Sequence, residues 1–318
     1  MDTDTREQLD MKYSVIVLLD KLYSDTISFI ENIHNLFSSL PDSFEMLVIL
    51  NGLSGIPERD FKRIIGQNNG TRMIEFAFRT WPSVCLKAGF KDSRGEFIVV
   101  CDSYQQVPND SILKLLNNMD RDVSIVSALR RNRIDSRRNQ IESRFFNYLV
   151  RKIIDCEYRD LSSCVRIFRR EVLEQTDFYG NMYRFLPILA ERNGFKTKEV
   201  QCDHCQQRGE GGLRRFSYFL NALIDIITVF FNTHFNRKPF RFFSSVGVVF
   251  MLMGFLMIVI IFGQKIILGY PVGGRMLLLM SVLFMLMGVQ VASIGLLGEI
   301  IAFTFGRHRK TYCIEKIL

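Results

Sequence analysis

Arg94-Gly-Glu-Phe-Ile-Val-Val-Cys-Asp-Ser-Tyr-Gln-Gln-Val-Pro108 is the stretch from which the rest of the chain can be read. Phe97 to Cys101 is continuously apolar and β-prone, as expected of a strand buried on both faces of a parallel sheet. The run stops at Asp102, and Pro108 opens a helix after it. In open α/β sheets, ligands lie beyond the carboxyl ends of the strands. Asp102 is therefore a candidate for the metal or phosphate side of a site. At this point the alternative is a turn or helix-capping aspartate.

Outward from this strand, short apolar runs alternate with helical spacing. Strands are predicted over 13–19, 45–50, 73–78 and 123–128, and helices over 25–38, 61–65, 84–91 and 110–118. In the first helix Ile27, Ile30, Ile33 and Phe37 recur near helical spacing, and the second strand ends in the turn signal Asn51-Gly52. A β/α alternation of this kind specifies a doubly wound, mostly parallel sheet. Trp81, the single tryptophan, is expected to pack in the sheet–helix core.

Net charge is +8, from 41 Lys+Arg against 33 Asp+Glu, which suits an anionic partner such as phosphate, nucleic acid or a lipid surface. Five arginines fall within Arg130–Arg138, read either as a solvated face or as a phosphate-binding run. No nucleic-acid signature accompanies them, so nucleic acid is not the expected partner. The seven cysteines are odd in number and scattered, which favours reduced thiols over a disulfide framework. Cys202-x-x-Cys205 with His204 hints at zinc, but no second ligand pair stands at suitable spacing. Residues 1–10 are polar and read as a disordered lead-in without a signal sequence.

Hydrophobicity concentrates near the C-terminus. Residues 244–263 are twenty without a charge, and 276–297 are twenty-two. Each is long enough to cross roughly 30 Å of hydrocarbon. Upstream, Phe216, Phe219, Leu220, Leu223, Ile227, Phe230 and Phe231 mark an amphipathic helix expected to lie in the lipid interface. Arg237, Lys238 and Arg241 precede the spans, and Arg307, Arg309 and Lys310 follow them. Only Lys265 and Arg275 fall between. The positive-inside tendency puts both ends and the α/β domain in the cytoplasm.

An α/β domain with a carboxylate at a strand end, followed by a membrane hairpin, resembles the polyisoprenyl-phosphate glycosyltransferases. These are inverting GT-A enzymes related to dolichol-phosphate mannose synthase and the bacterial undecaprenyl-phosphate sugar transferases. The resemblance runs through Arg130-Arg-x-Arg, Ser143-Arg-Phe-Phe-Asn147, Asp160-Leu-Ser-Ser-Cys-Val-Arg166 and Arg184-Phe-Leu-Pro-Ile-Leu-Ala190. It continues through Glu199-Val, His204-x-x-x-Arg208-Gly209, Lys238-Pro239 and Gly298-Glu-Ile300. It implies a GT-A-like domain over 11–213, an interfacial helix and linker over 214–243, a two-helix hairpin over 244–303 and a cytoplasmic tail over 304–318. It also implies transfer of a sugar from a nucleotide sugar to a polyprenyl phosphate at the bacterial inner membrane, in cell-envelope or surface-glycan assembly. Self-association is left open.

Residue by residue, the resemblance assigns Asn51, Gly52 and Asp102 to the nucleotide donor. Asp102 is also the ligand for Mg2+ or Mn2+. Asp160, with Asp102, falls to catalysis or sugar orientation, against a structural ion pair between Asp160 and Arg166. Arg130, Arg131, Arg166 and Arg208 fall to the lipid phosphate or diphosphate. The chain departs from the family at its donor end. Leu18-Leu-Asp-Lys-Leu22 stands for Pro-x-Tyr/Phe-Asn-Glu, Leu50-Asn-Gly-Leu53 for Asp-Asp-Gly-Ser, Asp102-Ser-Tyr104 for Asp-x-Asp, and Gly211-Gly-Leu213 for Ser-Lys-Tyr. These departures motivate a second reading, an inactive GT-A pseudoenzyme serving as a membrane partner or scaffold.

Overall fold

The computed structural model describes residues 11–53, 70–131, 148, 150–152, 158–161, 163, 165–205, 224, 228, 239–269 and 276–306. The chain divides into two compact units, one lying within 1–229 and the other within 230–311.

The first unit begins β1 (Met11–Leu19), α1 (Thr26–Ser38), β2 (Phe44–Asn51), β3 (Thr71–Phe76), α2 (Pro82–Asp92) and β4 (Gly95–Cys101). It continues with α3 (Asn109–Asn117), β5 (Ile125–Arg131), β6 (Arg166–Arg169), α4 (Arg170–Gln175), a short 3-10 turn (Met182–Phe185), α5 (Leu186–Arg192) and β7 (Thr197–Asp203). The seven strands lie in the order β3-β2-β1-β4-β6-β5-β7. All neighbours are parallel except β6, which runs antiparallel to both β4 and β5. The predicted helix over 61–65 lies outside the described residues, as does most of the amphipathic segment over 214–235.

The continuous apolar runs are explained by burial on both faces. Along β1, Ile16 and Leu18 enter one core with Leu47, Ile49, Ile98 and Val100. Val15, Val17 and Leu19 enter the other with Met46, Val48, Leu50 and Val99. Phe29, Ile30, Ile33 and Phe37 of α1 cover the second face. Each such fully buried side chain contributes about 1.5–3 kcal/mol relative to leaving it in water. Trp81 departs from expectation: it is 56% exposed. It sits just ahead of α2, where Pro82 starts the helix, so the ring projects from the helix entrance.

The amino edge of the sheet is closed by a polar network around Glu45. Its carboxylate accepts from Ser14 Oγ (2.6 Å), the Arg94 amide and Arg72, which also pairs with Asp92 at 2.7 Å. The carboxyl edge is organised differently. After β1 the chain builds β2 and β3 on one side, and β4 then pairs on β1's other side. This reversal makes a topological switch point between β1 and β4, the place where α/β sheets open a binding crevice.

The second unit contains α6 (Pro239–Leu268) and α7 (Met276–Gly306), both apolar enough to cross a membrane. At 1.5 Å per residue a helix of 30 residues is about 45 Å long, so it exceeds the hydrocarbon thickness. Arg241 and Lys265, read from sequence as flanking residues, therefore belong to the terminal turns of α6, where long cationic side chains can snorkel. Small residues set the contact between the helices. A Cβ on Gly288 would lie 2.6 Å from the Gly247 carbonyl oxygen, and one on Gly254 would lie 2.7 Å from that of Ser281. Without a hydrophobic force between helices in lipid, this close backbone approach supplies the packing. Glu299 accepts from the Phe240 amide (3.3 Å), satisfying one donor at the start of α6.

Candidate active site at the carboxyl edge

Three strand ends meet at the switch point, and Ser103 ties two of them together. Its hydroxyl donates to the Leu18 carbonyl (3.1 Å) and accepts from the Asp20 amide (3.0 Å). It also lies 3.4 Å from Asp102 Oδ1, which accepts from the Ser103 amide at 2.8 Å. The Ser103 carbonyl receives Thr26 Oγ1, which itself accepts from the Tyr23 amide. The exit of β4 is thus anchored to the exit of β1 and the start of α1. Tyr23 packs edge-on against Tyr104, with ring centroids 5.5 Å apart. Burial first, then the charges of Asp102 and Asp20, push the Tyr23 phenol above its ordinary value. Both carboxylates therefore act on the same phenol.

On the β2 side, Asn51 is an internal clamp. Its Nδ2 donates to Asp20 Oδ1 (2.5 Å) and to the Thr80 carbonyl (2.9 Å), and its Oδ1 accepts from the Thr80 amide (2.7 Å). The side chain that sequence assigns to the donor thus holds the loop after β3 against β1. Gly52 has φ +59°, and a Cβ there would sit 2.1 Å from the Arg79 backbone nitrogen. Gly52→Ala is expected to cost about 1–3 kcal/mol from the left-handed backbone alone, with the clash added. Thermal unfolding of the solubilised protein checks this; an unchanged midpoint would contradict the packing.

Farther along the edge, Arg130 and Asp160 form a buried pair. Nε lies 2.7 Å from Oδ2, and Nη2 lies 3.0 Å from Oδ1. Glu199 supports the loop that carries Asp160 by accepting the Arg159 and Asp160 amides at 3.0–3.1 Å. Burial raises the Glu199 carboxyl above its usual range, with these two amides opposing it. Asp160 thus pairs with Arg130 across thirty residues of sequence rather than with Arg166. Arg166 is 1% exposed and donates to the carbonyls of Leu161, Tyr183 and Arg184 at 2.8–3.1 Å. That geometry orders the loops around it and turns its terminal nitrogens away from a solvent-borne phosphate. Arg131 is exposed at the end of β5, and Arg208 lies outside the described residues. Cys202 is in the core while Cys205 is exposed.

Among the described residues, no three His, Cys, Asp or Glu side chains group as a metal cluster. Magnesium-type ions are commonly held by one or two carboxylates, with substrate phosphates and water completing the shell. A hard carboxylate at the switch point, Asp102, fits that arrangement. Sequence pattern alone missed Ser103, Asp20, Thr80 and Glu199. A Ser or Asp one or two residues past a buried apolar run is the signal that points to the first two.

Two family models match this chain in tandem: Glycosyl transferase family 2 over residues 28–177 and GtrB C-terminal hairpin over 238–303. The order, α/β domain then hairpin, is that of the two units described above. The chain carries a Glycosyl transferase family 2 domain followed by a GtrB C-terminal hairpin. It is similar to the undecaprenyl-phosphate 4-deoxy-4-formamido-L-arabinose transferases of Serratia proteamaculans (29% identical) and Yersinia pestis (28%). Each match covers 73% of this chain and 71% of the relative. In fold it is similar to glucosyl-3-phosphoglycerate synthase from Mycobacterium tuberculosis. One structure of that protein has a TM-score of 0.51 at 16% identity, covering 70% of this chain and 83% of the other. Another, in complex with Mn2+, uridine diphosphate and phosphoglyceric acid, has a TM-score of 0.50 at 17% identity, covering 72% and 82%. The chain is accordingly a glycosyltransferase with the GT-A fold, and the inactive-scaffold reading is not favoured.

Proposed function

We propose that this glycosyltransferase moves a sugar from a nucleoside-diphosphate donor to a polyprenyl phosphate at the cytoplasmic face of a bacterial inner membrane, for envelope glycan assembly. The observation that carries the reading is the tandem of a GT-A domain and an apolar hairpin in one chain, joined to its similarity to undecaprenyl-phosphate sugar transferases. The acceptor's tail stays in the bilayer while its phosphate reaches the soluble domain. The excess of Arg and Lys flanking the hairpin supports cytoplasmic ends.

The chemistry asks little of a general base. A phosphate monoester has a second pKa of about 6, so the acceptor is already mostly dianionic near neutral pH. A phosphate oxygen forms the new bond to the anomeric carbon as the bond to the donor diphosphate breaks, with inversion. The nucleoside diphosphate leaves with the electron pair. Asp102 would hold Mg2+ or Mn2+, which when bound neutralises charge on the diphosphate. Ser103 fixes where Asp102 stands, and Asn51 and Gly52 shape the adjoining wall. Arg131 and Arg208 are assigned to the anionic substrates, while Arg130, held by Asp160, keeps the end of β5 in place.

Binding of UDP, GDP, CDP and ADP to the purified protein, with and without Mn2+, tests the donor half. At least one nucleotide is expected to bind, and more tightly with the ion. No detectable binding at millimolar concentration would refute it.

A further inference from the structure

The outer face of α2 takes no part in the chemistry outlined above. Ser83, Cys85, Leu86 and Gly89 turn inward, and Trp81, Val84, Lys87 and Lys91 follow one another on the exposed side. Phe78, just upstream, is 75% exposed. A second segment adjoins this face. Lys87 Nζ lies 4.9 Å from the centre of the Phe178 ring, and Ser83 Oγ accepts from the Tyr183 amide at 3.2 Å. Tyr179, between those two contacts in sequence, is 58% exposed. Phe78, Trp81, Val84 and Tyr179 thus stand in water around the amino-terminal half of α2. The charge along the helix has one sign: between Glu75 and Asp92 the chain has Arg79, Lys87 and Lys91, all exposed, and no acid. One acid, Asp177, adjoins the second segment.

We propose that this basic aromatic patch docks the α/β domain on an anionic lipid surface. Clustered exposed apolar side chains on a soluble domain mark an interaction site. Trp and Tyr suit the headgroup level of a bilayer, where one end of the ring system is apolar and the other wet. Lysine stems lie along such a surface while their ammonium groups reach the lipid phosphates. The charge decides the kind of lipid, since each Lys or Arg near an anionic leaflet strengthens attachment roughly 5-fold. The apolar hairpin decides the kind of partner. A domain tethered to a membrane span meets lipid at high effective concentration, whereas a soluble partner must be captured from dilute solution. The proposal rests on the hairpin spanning a membrane, and is independent of which donor and acceptor react.

Trp81 is the single tryptophan of the chain, so its fluorescence reports on the patch without any substitution. The full-length protein is reconstituted into vesicles of phosphatidylcholine with phosphatidylglycerol, plain or brominated on the acyl chains near the headgroups. Bromolipid is expected to quench the Trp81 emission, and acrylamide on both sides of the membrane to quench it little. In phosphatidylcholine alone the bromolipid quenching should weaken and acrylamide quenching return. Arg79→Gln with Lys87→Gln should move the signal the same way in the anionic vesicles, a shift of roughly 25-fold in the ratio of docked to undocked protein. Quenching by acrylamide but not by bromolipid, in protein that floats with the vesicles, overturns the proposal. Trp81 shielded from both quenchers also overturns it, because another protein or a second copy then covers the patch. Bromolipid quenching that is equal with and without phosphatidylglycerol overturns the choice of anionic lipid, whether or not the double variant folds. Protein that does not float with the vesicles overturns the membrane reading of the hairpin, and the docking with it.

Discussion

Asp102→Asn is expected to lower sugar transfer by roughly 100- to 1,000-fold, the usual scale for losing one preorganised electrostatic contact to a developing charge. Asp102-Ser-Tyr104 leaves a single acid at the β4 exit. Tyr104 cannot substitute for a second one, because a phenol with a pKa of about 10 is neutral near pH 7. Its hydroxyl instead accepts from Gln106 Nε2 at 3.2 Å, and its ring packs on Tyr23. The substitution is nearly isosteric and leaves an oxygen for the Ser103 amide, so the fold should survive. Two measurements separate the roles of the residue. Transfer rate should fall steeply, and the gain in nucleotide affinity from Mn2+ should disappear while unfolding is little changed. A variant with wild-type rate would remove Asp102 from the reaction. One with lost rate and an equally large loss of stability would make it a turn residue.

The second large effect concerns Asp160. Removing one partner of a buried ion pair typically costs about 3–5 kcal/mol, because the remaining charge stays desolvated. Arg130 and Asp160 are 6% and 4% exposed, so Asp160→Ala should destabilise the soluble domain on that scale. Replacing both, as Arg130→Met with Asp160→Leu, should recover much of the stability, since it removes the stranded charge. Thermal unfolding of the single and double variants measures this. If Asp160 instead acts directly on the sugar, Asp160→Ala would lose activity with an unchanged melting midpoint.

The fold was legible where burial dictates composition. Runs such as Val15–Leu19 and Ile98–Cys101 are apolar without interruption because both faces of the sheet are covered. The strands that escaped notice have the opposite character. β6 is four residues with Arg at both ends, and β7 carries Lys198, Glu199 and Gln201 on a partly solvated edge. Neither shows an apolar run, so pairing rather than hydropathy defines them. The hairpin was plain in the sequence, though its helices extend beyond the uncharged cores to include Arg241 and Lys265.

The site was legible only in outline. Asp102 could be placed at a strand end from local sequence, because a buried run and its terminus are adjacent. The partner of Asp160 could not, since Arg130 lies on a distant strand and Arg166 was nearer in sequence. Asn51 stood out as a turn residue, but its commitment to Thr80 depends on the path of the chain after β3. Trp81 shows the limit of composition: a large aromatic suits a core, yet here it occupies an exposed helix entrance.

The most direct test is a transfer assay with the purified full-length protein, a polyprenyl phosphate in detergent or vesicles, and a panel of radiolabelled nucleotide sugars with Mg2+ or Mn2+. The expected result is label moving into the lipid phase from at least one donor, dependent on the acceptor phosphate and strongly reduced in Asp102→Asn. Label that stays in the aqueous phase for every donor, with wild-type protein that is folded and binds nucleotide, would contradict the account.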